Sequence, residues 1–130
     1  MNYTNIEQCK KLLELGLGSE TADMYWMNAS IKNVKIPQSP LIIDNDFHKL
    51  IDDFDVPCWS VGALLNLMPV VIINMDGDNF LRVEKNNYSW SIFYADNFNG
   101  NVEYIIKKPE LIDACYEMMV WLLENNHIKK

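Results

Sequence analysis

The residue best placed for chemistry is Cys58, which stands in the segment Val56-Pro57-Cys58-Trp59-Ser60. A helix is predicted to start two residues later, and the positive end of a helix dipole lowers the pKa of a nearby thiol. With His48 or His127 as a base, Cys58 could be the nucleophile of a hydrolytic or small-molecule-binding site. The competing interpretation is a buried structural cysteine, because free cysteine is among the most buried residue types. The candidate pocket comprises Cys58, Trp59 and His48.

Metal and cofactor sites find little support in the sequence. Carboxylates and one imidazole cluster at the start of a predicted helix: Asp44, Asp46, His48 and Asp52. A calcium loop needs glycine at its sixth position and glutamate at its twelfth, and this segment has neither, which favours helix capping and solvation. No Ser-His-Asp order, G-x-S-x-G, P-loop or G-x-G-x-x-G pattern is present. We expect no cofactor, no metal and no catalytic residue, and a non-enzyme more than an enzyme.

The last predicted helix, over residues 109–124, has acidic residues that no Lys or Arg balances four positions later. The candidate interaction surface consists of Glu110, Asp113, Glu117, Trp121 and Glu124. One interpretation is a solvated helix face, and the other is a docking surface for a basic partner protein. The sequence also has more Trp and Tyr than so small a core can easily bury, which favours an interface.

Composition restricts the class of protein. The chain has 130 residues, which fits one domain over 1–130, and a net charge of -7. Nucleic acid and anionic membranes are disfavoured as partners, because phosphate binding needs clustered Lys and Arg. Three cysteines, far apart and without a C-x-x-C pair, indicate reduced thiols. With no apolar run long enough to span a membrane and no signal-like N-terminus, we expect a cytoplasmic protein.

The first half of the chain is predicted to be mainly helical. A capping box formed by Thr4 and Glu7 starts a helix over residues 4–15, and Gly16 ends it. Residues 22–28 suit a strand, and Asp44-Asn45-Asp46 caps a second helix that runs to Phe54. A third helix starts near Ser60 and ends at Pro69.

The second half alternates and predicts strands. Residues 70–75 and 80–85 flank an Asp76-Gly77 hairpin turn, and residues 88–94 and 102–107 follow. A two-residue loop at Asn86-Asn87 would pair Val83 with Trp90 and Leu81 with Ile92 on one apolar face. The predicted fold is α+β, an antiparallel meander of about four strands packed with three to four helices, with the long C-terminal helix central.

Several segments together resemble a family of small uncharacterised proteins found in phages and bacterial mobile elements. They are Cys9-Lys10-Lys11-Leu12-Leu13-Glu14-Leu15-Gly16-Leu17, Thr21-Ala22-Asp23-Met24-Tyr25, Val56-Pro57-Cys58-Trp59-Ser60 with Ala63-Leu64-Leu65, and Ala114-Cys115-Tyr116 with Val120-Trp121-Leu122-Leu123-Glu124-Asn125. The family has no assigned activity, so the resemblance implies an accessory protein and no specific chemistry.

Three functions remain open from the sequence. The first is a non-catalytic protein-interaction or accessory module that binds a protein partner or forms a homodimer. The second is a small-molecule-binding or hydrolytic protein with its site around Cys58 and His48. The third is an acidic immunity or inhibitor-type protein that docks a basic toxin or nuclease.

Overall fold

The computed structural model describes residues 2–27, 40–42, 55–75 and 77–128, and these contain three α-helices and two antiparallel sheets. The chain has an α+β fold, as predicted. The helices are α1 (Ile6–Glu14), α2 (Val61–Leu67) and α3 (Leu111–Glu124). The strands are β1 (Met24–Trp26), β2 (Leu41–Ile42), β3 (Val56–Cys58), β4 (Val71–Asn74), β5 (Gly77–Lys85), β6 (Trp90–Asp96) and β7 (Val102–Lys108). The predicted helix over 44–54 lies outside the described residues.

Helix α1 starts at a capping box one residue later than predicted. The side chain of Asn5 accepts a hydrogen bond from the Gln8 amide, and the Gln8 side chain accepts one from the Asn5 amide. The predicted partner Thr4 is buried instead. The stop at Gly16 is confirmed: its φ is 96°, and the Leu17 amide bonds back to Leu12, as in a Schellman motif.

A three-stranded sheet in the order β2-β1-β3 was not predicted as a unit. The strand expected over 22–28 is confirmed as β1, which pairs antiparallel with both neighbours. Pro57 lies in β3, which is an edge strand among those described, and an edge tolerates the missing backbone donor. Ser60 then caps α2 by accepting a hydrogen bond from the Ala63 amide, close to the predicted start.

The second sheet is the predicted meander, with strand order β4-β5-β6-β7. The predicted pairing between β5 and β6 is wrong by two residues: Val83 pairs with Ile92 and Leu81 with Tyr94. The reason is the turn, in which Asn86 accepts hydrogen bonds from the amides of Tyr88 and Ser89 and so lengthens the loop. A shift of two residues keeps every side chain on its predicted face.

Helix α3 lies across the inner face of this sheet. It packs on β6 and β7 and also contacts α1 and α2. Its inner residues have almost no exposed surface: Ile112, Ala114, Cys115, Met118, Met119, Leu122 and Leu123. From the sheet, Ile72, Ile92, Tyr94 and Ile106 complete this part of the core. The wide apolar coverage predicted for the helix is therefore explained by neighbours on several sides.

Both ends of α3 were predicted only in part. The helix begins at Leu111 with Glu110 as its N-cap residue, so Pro109 precedes it and does not occupy the first helical position. At the other end Asn126 adopts the left-handed conformation, with φ of 59°, as expected for the Asn125-Asn126 pair. The His127 amide then bonds to the Leu122 carbonyl at 2.9 Å. This turn folds His127 back onto the helix.

Candidate functional site

A groove lies where the exposed side of α3 meets β7. Its volume is about 350 Å³. We call it the α3 groove, and its lining residues are Tyr104, Tyr116, Glu117, Val120, Trp121, Glu124 and Asn125. Helical geometry explains the set, because residues three, four and seven positions apart project from one side of a helix. Among the described lining residues, Tyr104 is the one that comes from the sheet.

A stacked aromatic pair forms one wall of the α3 groove. The rings of Tyr104 and Trp121 are 4.4 Å apart between centroids, and their planes differ by 5°. The His127 ring lies 5.0 Å from the Trp121 ring, held there by the turn that ends α3. An indole face carries partial negative charge, which attracts a cation.

Two carboxylates add full negative charge to this groove. Glu117 Oε1 lies 3.0 Å from the Lys108 ammonium, and both side chains are 38% exposed. Glu124 lies two turns further along the helix and is exposed. The pKa of Tyr116 is raised above its ordinary value, mainly by burial and to a lesser extent by the negative charges of Glu117 and Glu124. The two carboxylates therefore act on the same small volume.

The structure brings together three of the five residues predicted for the interaction surface: Glu117, Trp121 and Glu124. Asp113 lies elsewhere, where it accepts a hydrogen bond from the Gln8 side chain at 2.9 Å, and Glu110 occupies the N-cap position of α3. Sequence reasoning missed Tyr104, since its strand register could not be fixed from the turn length.

Two residues of the candidate pocket, Cys58 and Trp59, lie buried in the core. Cys58 and Trp59 have 0% exposed surface, and His48 lies outside the described residues. The Trp59 indole N–H donates to Thr21 Oγ1 at 2.9 Å. A nucleophile must reach its substrate, and this thiol has no surface that faces solvent. The hydrolytic alternative stays a prediction.

Thr4 explains what surrounds Cys58. We call Thr4, Cys9, Trp26, Cys58 and Trp59 the Thr4 cluster, and all five are buried. Thr4 Oγ1 accepts a hydrogen bond from the Trp59 amide at 3.0 Å and lies 3.0 Å from Cys9 Sγ. The Thr4 carbonyl accepts from the Trp26 indole at 3.1 Å and from the Cys58 thiol at 3.2 Å.

The pKa values of the two thiols in the Thr4 cluster shift in opposite directions. The hydrogen bond with Cys58 and burial raise the pKa of Cys9, whereas the hydrogen bond with Cys9 lowers the pKa of Cys58. No described buried side-chain nitrogen or oxygen lacks a hydrogen-bond partner. The cluster is thus a satisfied polar part of the core, which the capping pattern at Thr4 did not reveal.

The described residues hold neither a metal-ligand cluster nor a membrane-spanning helix. Within the described ranges, no group of three or more His, Cys, Asp or Glu residues is arranged to hold a metal ion. In the same part of the chain, no helix has the length and apolar character needed to span a bilayer.

Comparison with known proteins adds no relative. The chain matches no protein-family model, no curated protein and no solved structure.

Proposed function

We propose that this chain is a non-catalytic protein-interaction module whose α3 groove binds a Lys or Arg side chain of a partner protein. The observation that carries the proposal is the meeting of two carboxylates and a stacked Trp–Tyr pair in one groove. A cation there gains ionic attraction from Glu117 and Glu124 and cation–π attraction from Trp121.

Lys108, a residue of the chain itself, already forms an ion pair with a carboxylate of the groove. Its ammonium pairs with Glu117 at 3.0 Å, although both groups remain more than a third exposed. Exposed pairs of this kind are weak, about 0–1 kcal/mol, so a partner's cation can share or displace the pair. Glu124 offers a second carboxylate, and the net charge of -7 steers a basic partner toward the protein.

The form of the groove favours a protein side chain over a free metabolite. Small-molecule sites of about 300–1,000 Å³ usually enclose most of their ligand. The α3 groove, at about 350 Å³, is at the low end of that range, and its walls are residues that remain partly exposed. Such a groove suits one long side chain presented by a protein surface. A basic toxin or nuclease, the partner of the immunity-type alternative, would present this chemistry, and an accessory role agrees with the family resemblance.

The proposal can be tested with short peptides as probes. Acetylated tetra-arginine and tetra-lysine are titrated into isotopically labelled protein, and tetra-citrulline serves as the uncharged analogue of tetra-arginine. The amide chemical shifts of residues 116–125 and of Tyr104 should change when either cationic peptide is added. They should stay unchanged when tetra-citrulline is added. Shifts distributed evenly over all acidic residues would contradict a specific groove.

Variants distinguish peptide binding in the groove from attraction by the overall negative charge of the protein. Glu124→Gln and Trp121→Leu should each weaken tetra-arginine binding about two- to fivefold, the effect of one exposed ion pair or one cation–π contact. The matched control is Glu14→Gln, which removes the same charge from the exposed side of α1. Equal weakening by Glu14→Gln and Glu124→Gln would show that net charge, not the groove, attracts the peptide.

A further inference from the structure

Strand β7 forms an open edge of the four-stranded sheet, and this edge borders the α3 groove. Among the described strands β7 pairs with β6 alone, and α3 packs on the inner face of both. Tyr104, which lines the groove, belongs to β7, and the Lys108–Glu117 ion pair joins the same strand to α3. A segment that added to this edge would therefore also meet the groove.

The register of β6 and β7 shows which backbone groups of β7 are paired. The Asp96 amide, at the end of β6, donates to the Asn101 carbonyl at 2.9 Å, so the backbone of Asp96 faces the β7 side. Tyr94, two residues earlier, faces the same way, because hydrogen-bonding direction alternates along a strand. Tyr94 pairs with Tyr104, so Tyr104 and every second residue after it in β7 bond to β6.

The alternate residues of β7, Ile105 and Lys107, direct their backbone N–H and C=O groups to the open side. Both residues are exposed, and no described residue outside β7 forms a hydrogen bond with these groups. An edge strand with unpaired donors and acceptors is a template for one more strand. In recognition of this kind the main-chain hydrogen bonds provide affinity, and alternate side chains of the added strand provide specificity.

We propose that an extended segment of the basic partner pairs with β7 at Ile105 and Lys107 and adds a fifth strand to this sheet. The inference rests on the proposed function of the α3 groove and adds the conformation in which the partner binds. Neighbouring strands lie about 4.8 Å apart, so the added strand lies beneath the side of α3 that forms the groove. Its side chains alternate between the two faces of the sheet, and every second one enters the groove.

Charge determines which extended segment fits. The groove presents Glu117 and Glu124, which lie about 10 Å apart along the helix axis. Side chains two residues apart in a strand face the same way at a spacing of about 7 Å, and long Lys or Arg side chains span the difference. The segment therefore has cationic residues at alternate positions. A second copy of this chain is a poorer occupant, because it would bring its own Glu117 and Glu124 to the same acidic groove.

N-methylated peptides test the added strand. The probe is acetylated Thr-Arg-Val-Arg-Thr amide, whose two arginines face the same way when the peptide is extended. One analogue carries N-methyl groups on both arginines, and the other carries them on the valine and the last threonine. An added strand bonds to β7 through only one set of alternate amides, so one analogue should lose affinity about tenfold and the other should bind like the parent peptide. Titration of isotopically labelled protein measures the three dissociation constants.

Substitution of Ile105 tests the same contact from the protein side. Ile105→Pro removes an N–H that points to the open side, and an edge strand tolerates proline at such a position. The variant should bind the parent peptide about fivefold more weakly, because one hydrogen bond is lost. The matched control is Ile105→Ala, which keeps the N–H and should bind like wild type. Far-UV circular dichroism checks that both variants are folded, and the peptide analogues decide the question without any substitution in the protein.

The outcomes distinguish this inference from the proposed function. Equal affinity of all three peptides, still weakened by Glu124→Gln, overturns the added strand and leaves the groove as the binding site. Equal loss in both analogues also overturns it, because only one set of amides can face β7. Discrimination between the analogues without any effect of Glu124→Gln overturns the proposed function instead. A dimer in sedimentation that Ile105→Pro abolishes would show that a second copy occupies the edge, which contradicts the inference.

Discussion

The Thr4 cluster and the α3 groove each bring polar and aromatic side chains together, and the two regions use them in opposite ways. In the cluster, two thiols and two indoles are buried. Thr4 binds both thiols, the Trp26 indole and the Trp59 amide, and the Trp59 indole donates to Thr21. In the groove, carboxylates and rings are partly exposed, and the Lys108–Glu117 pair is open to solvent. The cysteines, which could act as nucleophiles, are thus buried in the core, whereas Glu, Tyr and Trp side chains line the groove that a partner can reach.

The largest effect should come from removing the hydroxyl at the centre of the cluster. Thr4→Val keeps the shape but leaves the buried Trp59 amide without its acceptor, which should lower the free energy of unfolding by about 2–3 kcal/mol. Urea denaturation followed by circular dichroism measures the loss. Ser19→Ala, at an exposed position, is the control and should change stability by less than about 0.5 kcal/mol. If Thr4→Val is as stable as wild type, the cluster is not a stabilising polar core.

Cys115 is also buried, and its titration makes the stability of the core depend on pH. Burial raises the pKa of Cys115 from 9.0 to about 12. Below pH 9 both states keep this proton, and between pH 9 and 12 only the unfolded chain releases it. The free energy of unfolding should therefore fall as pH rises through this window, with Cys115 contributing up to about 1.4 kcal/mol per pH unit.

Cys115→Ala isolates that contribution, because it removes the titrating thiol and leaves the other groups unchanged. Stability is measured by urea denaturation at several pH values in the window, and the variant should lose less stability per pH unit than wild type. The slope is the relevant quantity, since the smaller side chain also shifts stability by a constant amount. Parallel curves for the two proteins would contradict a buried, protonated thiol.

The smallest effect is expected in the groove. Glu117→Gln breaks the pair with Lys108, and because both side chains are 38% exposed the cost should be below about 1 kcal/mol. High salt should abolish the difference from wild type, since exposed charges are screened. Thermal unfolding at low and high salt measures both quantities. A loss as large as that of Thr4→Val would mean that Glu117 is part of the core.

Sequence reasoning was most accurate where local chemistry decides the structure. Gly16 and Asn126 adopt the left-handed conformation that ends a helix, and Ser60 caps α2, because turns and caps depend on a few neighbouring residues. The capping box moved from Thr4 to Asn5, since burial of Thr4 gave its hydroxyl another partner.

Errors arose in strand pairing, both within one hairpin and between distant segments. The pairing of β5 with β6 was wrong by two residues, because the length of the turn at Asn86 is set by hydrogen bonds that the sequence does not display. The sheet made by β1, β2 and β3 joins segments far apart in the chain, and no periodicity links them. Glu117, Trp121 and Glu124 were predicted as one surface because they share a helix, whereas Tyr104 needed the register of β7.

By itself the sequence determined the α+β class, the wide apolar surface of α3 and the acidic residues on its other side, because composition and periodicity are local properties. Only the tertiary structure decided which of those residues form a site. Burial is a property of the whole fold, and it placed Cys58 against Thr4 while leaving Glu124 exposed. The opposite side of the four-stranded sheet was likewise left exposed by packing, because α3 can cover only one side of the sheet.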